Sequence, residues 1–167
     1  MKNVLIFWFS IFCLIGSSYA EQPINSASVD QLIEKLAPEP IVRTRGLRNL
    51  SPVQAPKSVD LVILFDFDAA KLQPSSKPLL DNLASAMKTD RLVQVNFQIE
   101  GHTDARGSQA YNQQLSQKRA DAVVSYLAEQ GIERSRMESL GKGFSELLYP
   151  DRPQAMENRR VRIIIAP

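Results

Sequence analysis

Between Val93 and Glu100 the chain alternates without a break: Val93, Val95, Phe97 and Ile99 are apolar, and Gln94, Asn96, Gln98 and Glu100 are polar. A period of two predicts a strand with one face in a core and the other in water. Further along, the period lengthens to that of a helix running from about Ser108 to Gln130, with Gly131 placed to end it. Leu115, Ala122, Val123 and Tyr126 form its core-facing stripe, and Gln113, Gln117, Asp121 and Ser125 lie opposite. Shorter patterns complete the set. Val59–Phe67 reads as a strand, Arg136–Leu140 as another, and Val161, Ile163 and Ile165 mark a last one. Pro74, Ser75 and Ser76 open a second helix, with Pro78 tolerated in its first turn and Leu80, Leu83, Ala84 and Met87 on its apolar face. The predicted order is β-α-β-α-β-β: a single α/β sandwich with its helices packed on one face of a mixed sheet. Strands separated by helices need crossovers, which favour parallel neighbours.

The texture upstream is different. Residues 21–57 contain Pro23, Pro38, Pro40, Pro52 and Pro56, too dense for the interior of a compact unit. Within them Ser28 caps a short amphipathic helix, with Val29, Leu32, Ile33 and Leu36 on one face and Pro38 as its stop. So short a helix is marginal alone in water, so its apolar face docks either on its own domain or on another protein. Arg43, Arg45 and Arg48 follow, as a solvated linker or as the contact for an anionic partner.

The first residues set the compartment. Lys2, an apolar run from Val4 to Ile15 and the small residues Ser18-Tyr19-Ala20 form a secretory signal, cleaved before Glu21. Cys13, the sole cysteine, follows Phe12 rather than a small residue, which argues against a lipid anchor. The expected organisation is a signal peptide at 1–20, a Pro-rich extension at 21–57 and a domain at 58–167. The mature chain has no cysteine for a disulfide and no further apolar stretch long enough to span a membrane. With 20 basic and 18 acidic residues, charge gives no reason to expect a nucleic-acid partner. An exported, periplasmic protein is expected.

Candidate chemistry begins at VILFDFDAA, where an apolar strand ends in Asp66-Phe67-Asp68, the layout of an aspartate-nucleophile phosphatase. The rest of that machinery is missing: Ala70 stands where Thr or Val belongs, and Asp104, Asp121 and Asp151 are scattered rather than paired for Mg²⁺. His102 is the only histidine, so neither a His-based metal site nor a triad has its parts. No enzyme activity, metal or cofactor is expected.

Arg119 is the anomaly. It falls within the apolar stripe of the long helix, with Asn112 on the same line, and a buried guanidinium needs a carboxylate. The candidate is Asp104 in Gly101-His102-Thr103-Asp104, a loop that Gly107 allows to turn tightly. Two readings follow. Asp104 and Arg119 form an internal salt bridge, or they share the rim of a site. A site with one carboxylate and one guanidinium suits a free amino-acid centre, its ammonium on Asp104 and its carboxylate bidentate on Arg119.

The stretch GHTDARGSQAYNQQLSQKRADAVVSYL, with VILFDFD before it and ENRRVRIII after it, resembles the peptidoglycan-binding domain of the OmpA-like family over residues 58–167. The resemblance implies a non-enzymatic domain that holds the meso-diaminopimelate of uncrosslinked peptidoglycan stems. By matching position it assigns Asp104 and Arg119 to the ligand, with Asn112, Asp68, Thr103, Gly107 and the apolar wall Leu115 around it. Arg159 and Arg160 support the site from behind. The implied partner is peptidoglycan in the Gram-negative periplasm. A second partner, an envelope protein docked through residues 21–57, is the alternative, and would associate the chain with the outer membrane.

Overall fold

The computed structural model describes residues 22–38, 56–66 and 68–166. The expected signal peptide, Cys13, and Arg43, Arg45 and Arg48 lie outside the described residues. In chain order the elements are α1 (Val29–Leu36), β1 (Ser58–Leu61), α2 (Lys77–Met87), β2 (Phe97–His102), α3 (Gln109–Glu129), β3 (Met137–Gly143) and β4 (Val161–Ile165). From β1 onward this is the predicted β-α-β-α-β-β order. The strands form one mixed sheet ordered β1-β4-β2-β3. Only β2 and β3 pair in parallel; β4 inserts between β1 and β2, antiparallel to both. The preference for parallel neighbours therefore holds at one of the three pairings.

Register explains how the core is shaped. Across the inward face run the rows Val59–Ile163–Ile99–Ser139 and Leu61–Val161–Gly101–Gly141. Side chains shrink along each row towards β3, so α3 can lie closest there. A Cβ on Gly101 would sit 2.2 Å from the Ser116 carbonyl oxygen, and one on Gly141 would sit 2.6 Å from the Gln117 nitrogen. The two glycines are the floor on which α3 rests. Leu80, Leu83, Ala84 and Met87 of α2 are buried as predicted, completing the core with Phe97, Leu127 and Ile163.

This close approach turns α3 from the predicted orientation. Its buried line is Asn112, Ser116, Ala120, Val123, Val124 and Leu127, while Leu115, Ala122 and Tyr126 are only partly covered. Gln113 and Gln117, expected to face away, reach the outer edge of β3. Gln113 Nε2 donates to the Gly141 carbonyl (2.6 Å), and the Gly141 N–H donates to Gln117 Oε1 (2.7 Å). Asp121 accepts from the Ser139 hydroxyl at 2.5 Å. Two glutamines thus occupy backbone positions that would otherwise invite another strand.

The strand boundaries also differ from the periodicity. β1 stops at Leu61 because its partner β4 begins at Val161; beyond it Val62 donates to Ile24, and Leu64 to the Ser76 hydroxyl. β2 begins only at Phe97. Val93 lies in a turn and is exposed, because its N–H and that of Leu92 both fold back onto the Thr89 carbonyl. Glu100, expected in water, is 3 % exposed. The outer sheet face is charged but covered: Asp60 accepts from Arg160 and Arg162 at 2.9 Å each, and Glu100 pairs with Lys142 at 3.2 Å.

The short upstream helix forms, with a complete capping box between Ser28 and Gln31. It docks on its own domain. Leu32 and Leu36 are fully buried against α2 and β1, Asn82 donates to the Ala27 carbonyl (2.8 Å), and Ile24 adds a parallel bridge at Leu61.

Candidate functional site

The end of β2 and the start of α3 are joined by residues 103–108, and that loop is held from several directions. The Thr103 N–H donates to Gly143 (2.8 Å) and the Ala105 N–H to Pro153 (2.9 Å). Asn112 is buried, and its amide donates to the carbonyls of Arg106 (2.7 Å) and Ser108 (3.2 Å). Gly107 takes φ +88°, a conformation that costs a side-chain-bearing residue strain. Asn112 and Gly107 therefore shape the loop, and Thr103 anchors it through its backbone N–H.

Asp104 is placed by that loop and is 6 % exposed. Its Oδ1 accepts from the Arg106 N–H (3.0 Å) and its Oδ2 from Arg159 Nη1 (2.9 Å). Its ion-pair partner is thus Arg159, and the internal Asp104–Arg119 salt bridge is not formed. Arg159 contacts Asp104 directly; Arg160, expected beside it, points to the other sheet face and pairs with Asp60. Successive residues of a strand-like segment project to opposite sides, which separates the two arginines.

Arg119 lies on the flank of α3, half-buried, rather than in the middle of the core line. Its guanidinium stacks on Phe65, 5.0 Å from the ring centroid, and Nε donates to the Ala69 carbonyl at 3.2 Å. The two terminal amino groups have no partner among the described residues. Burial presses its pKa below the ordinary value, Arg159 adds to this, and Asp104 and Asp68 oppose it. A guanidinium remains cationic through such a shift. The arrangement is a cation fixed at its base and open at its tip, with a carboxylate nearby.

Asp68 stands across from α3 on the loop after β1, at φ +52°, and accepts from the Tyr111 hydroxyl. Leu115, Tyr111 and Asp68 line a recess of about 280 Å³ beside Arg119. The structure thus gathers Asp68, Asp104, Leu115, Arg119 and Arg159 at one end of the sheet. Sequence reasoning missed Phe65, the Ala69 carbonyl and Tyr111. A backbone carbonyl leaves no trace in residue identity, but Tyr111 and Leu115 share a line on the helix at i, i+4.

His102 does not belong to this site. It is buried on the outer sheet face, with Nε2 3.5 Å from Glu100, too long for a strong hydrogen bond.

The model of the OmpA family matches residues 64–161. This chain belongs to the OmpA family. Outer membrane porin F of Pseudomonas fluorescens is 38% identical over 113 residues, covering 66% of this chain and 34% of that protein. The outer-membrane lipoprotein YfiB of Pseudomonas aeruginosa is 35% identical over 105 residues, 62% of this chain and 61% of its own length. This OmpA-family chain thus spans about a third of the porin and under two thirds of the lipoprotein. Among solved structures, the peptidoglycan-associated lipoprotein of Burkholderia pseudomallei is similar with a TM-score of 0.54 and 33% identity, over 62% of this chain and 88% of that one. The family match omits α1, which the fold nonetheless builds into the core. Among the described residues no helix is long and apolar enough to cross a membrane.

Proposed function

We propose that this chain binds peptidoglycan non-covalently and without catalysis, through the free amino-acid centre of meso-diaminopimelate in uncrosslinked stem peptides. The observation that carries the reading is the open tip of Arg119, seated on Phe65 beside the carboxylate of Asp104. A ligand carboxylate can take the two free amino groups of Arg119 side by side, and the ligand ammonium can approach Asp104. Similarity to a lipoprotein described as peptidoglycan-associated supports the same direction. The proposed organisation is a signal peptide removed before residue 21, a segment at 21–57 carrying α1, and a wall-binding domain at 58–167. The proposed location is the periplasm, with retention near the outer membrane through a partner as a finer part of the same proposal. An envelope scaffold docked through residues 21–57 gains nothing from α1, whose apolar face is already occupied by α2 and β1.

The test is co-sedimentation of the mature chain with isolated peptidoglycan sacculi, beside Asp104→Ala and Arg119→Ala. Wild type is expected to sediment and each variant to lose roughly tenfold or more in affinity, as for one charge-assisted contact. Unbound wild type, or variants that bind as well as it does, would sink the reading.

A further inference from the structure

The recess beside Arg119 extends past the residues assigned to the zwitterion. Its floor is a stripe of α3: Tyr111, Gln114, Leu115 and Lys118. These positions follow i, i+3, i+4 and i+7, so they form one line of about 10 Å along the helix, at 1.5 Å per residue. The opposite wall is the loop at Asp68–Ala70, which Arg119 ties to the helix through the Ala69 carbonyl. The Ala69 carbonyl is thus shared between the recess and Arg119, and Asp68 on the same wall is close enough to act on the guanidinium. Its volume of about 280 Å³ suits a short peptide unit, not an oligosaccharide.

Its charges are asymmetric. At one end the Asp68 carboxylate is engaged by the Tyr111 hydroxyl. At the other, Lys118 is exposed and has no hydrogen bond or ion pair among the described residues. On the helix Lys118 and Arg119 project about 100° apart; Lys118 lines the recess while Arg119 bonds the Ala69 carbonyl on its opposite wall, so a ligand held at Arg119 can extend past Lys118. Gln114, one turn before Lys118 on the same stripe, can donate or accept. Such a lining favours a segment that carries a second carboxylate close to the clamped centre.

We infer that Lys118 is a specificity-determining residue: it reads a second, free carboxylate on the residue joined to the clamped diamino acid. This rests on the reading of the site given above and adds to it. In a stem peptide that neighbour is an acidic residue linked through its side chain, so its α-carboxylate is free unless it has been amidated. The site is then bipartite, with Asp104 and Arg119 for the zwitterion and Lys118 for the neighbour. Walls whose neighbouring residue is amidated bind more weakly, even where the diamino acid is unchanged.

The test is calorimetric titration of the mature chain and of Lys118→Gln with three probes. They are free meso-diaminopimelate, the dipeptide of γ-linked D-glutamate and meso-diaminopimelate, and the same dipeptide with the glutamate α-carboxylate amidated. Wild type is expected to prefer the acidic dipeptide by about three- to tenfold, the range for a partly exposed charge-assisted contact. Lys118→Gln is expected to lose that preference while holding free meso-diaminopimelate as before, and Lys118→Arg to keep it. Equal binding of the two dipeptides by wild type, or an unchanged preference in Lys118→Gln, would overturn the role of Lys118 and leave the clamp standing. Failure of wild type to bind any probe would overturn both.

Discussion

Asp104 carries two hydrogen bonds before any ligand arrives, one from the Arg106 backbone and one from Arg159. These fix the carboxylate in one orientation, so an approaching ammonium meets an ordered acceptor. Arg159 also places a second cation near Arg119, and its repulsion adds to burial in lowering the Arg119 pKa. For a ligand carboxylate that is added attraction. Arg159→Ala is therefore expected to weaken meso-diaminopimelate binding by roughly three- to tenfold, and Arg159→Lys to restore part of it. Titration at low and high salt checks this, since the deficit should shrink as salt screens the missing charge. Tighter binding by Arg159→Ala would show that Arg159 competes with the ligand instead.

At the scale of elements, the site depends on how closely α3 lies on β2 and β3. Gly101 and Gly141 set that distance, because no other residue leaves room for the helix backbone. In Gly141→Ala the new methyl would meet the Gln117 nitrogen at 2.6 Å and the Gln113 carbonyl oxygen at 2.8 Å. Backbone cannot rotate away as a side chain can, so the helix must lift. The expected cost is about 1–3 kcal/mol of stability, with weaker ligand binding because Arg119 moves with α3. Gly131→Ala is the contrast. A Cβ there would make only ordinary contact with the flexible end of Lys88, at 3.8 Å, so the φ of +88° is the main strain; the variant should cost about 1 kcal/mol and leave binding intact. Urea unfolding of both variants, with the titration repeated, separates close packing from backbone conformation.

For the whole molecule, the covered charges on the outer sheet face link stability to pH. His102 is fully buried there, facing Glu100 on its own strand, Arg160 just before β4 and Arg162 on β4; Lys142 of β3 and Asp60 of β1 complete the cluster. Burial is the main cause holding its pKa below the usual 6.5; Glu100 opposes this, and Arg160 and Arg162 reinforce it. Above pH 6.5 His102 is neutral in both folded and unfolded chains and contributes no pH dependence. Below that value the unfolded chain takes up a proton that the folded one resists, so stability falls with pH until the folded pKa is reached. The slope from this one group is at most about 1.4 kcal/mol per pH unit. Glu100 adds a second loss at lower pH. Burial alone would raise its pKa, but His102 and Lys142 hold it below the ordinary value, so that stabilisation disappears as the carboxylate is protonated. Thermal melts of wild type and His102→Gln between pH 7.5 and 5 should show the slope in the first and a flatter profile in the second.

The sequence by itself determined the order of elements from β1 onward, the buried face of α2, the caps of α1 and α3, and which residues carry charge near the Asp104 loop. These are local properties: period, capping and turn chemistry act within a few residues, so they can be read from neighbours. Tertiary structure decided who meets whom. Asp104 pairs with Arg159 and Arg160 with Asp60, partners far apart in the chain whose approach depends on sheet order. It also decided which face of α3 is inside. Polarity pointed to Leu115, Ala122 and Tyr126, but a glycine floor leaves room for Asn112, Ser116 and Ala120 and lets glutamines bond the strand edge. Hydrophobicity predicts what avoids water; how near two backbones can come, and which polar groups are then satisfied, is settled only when they meet.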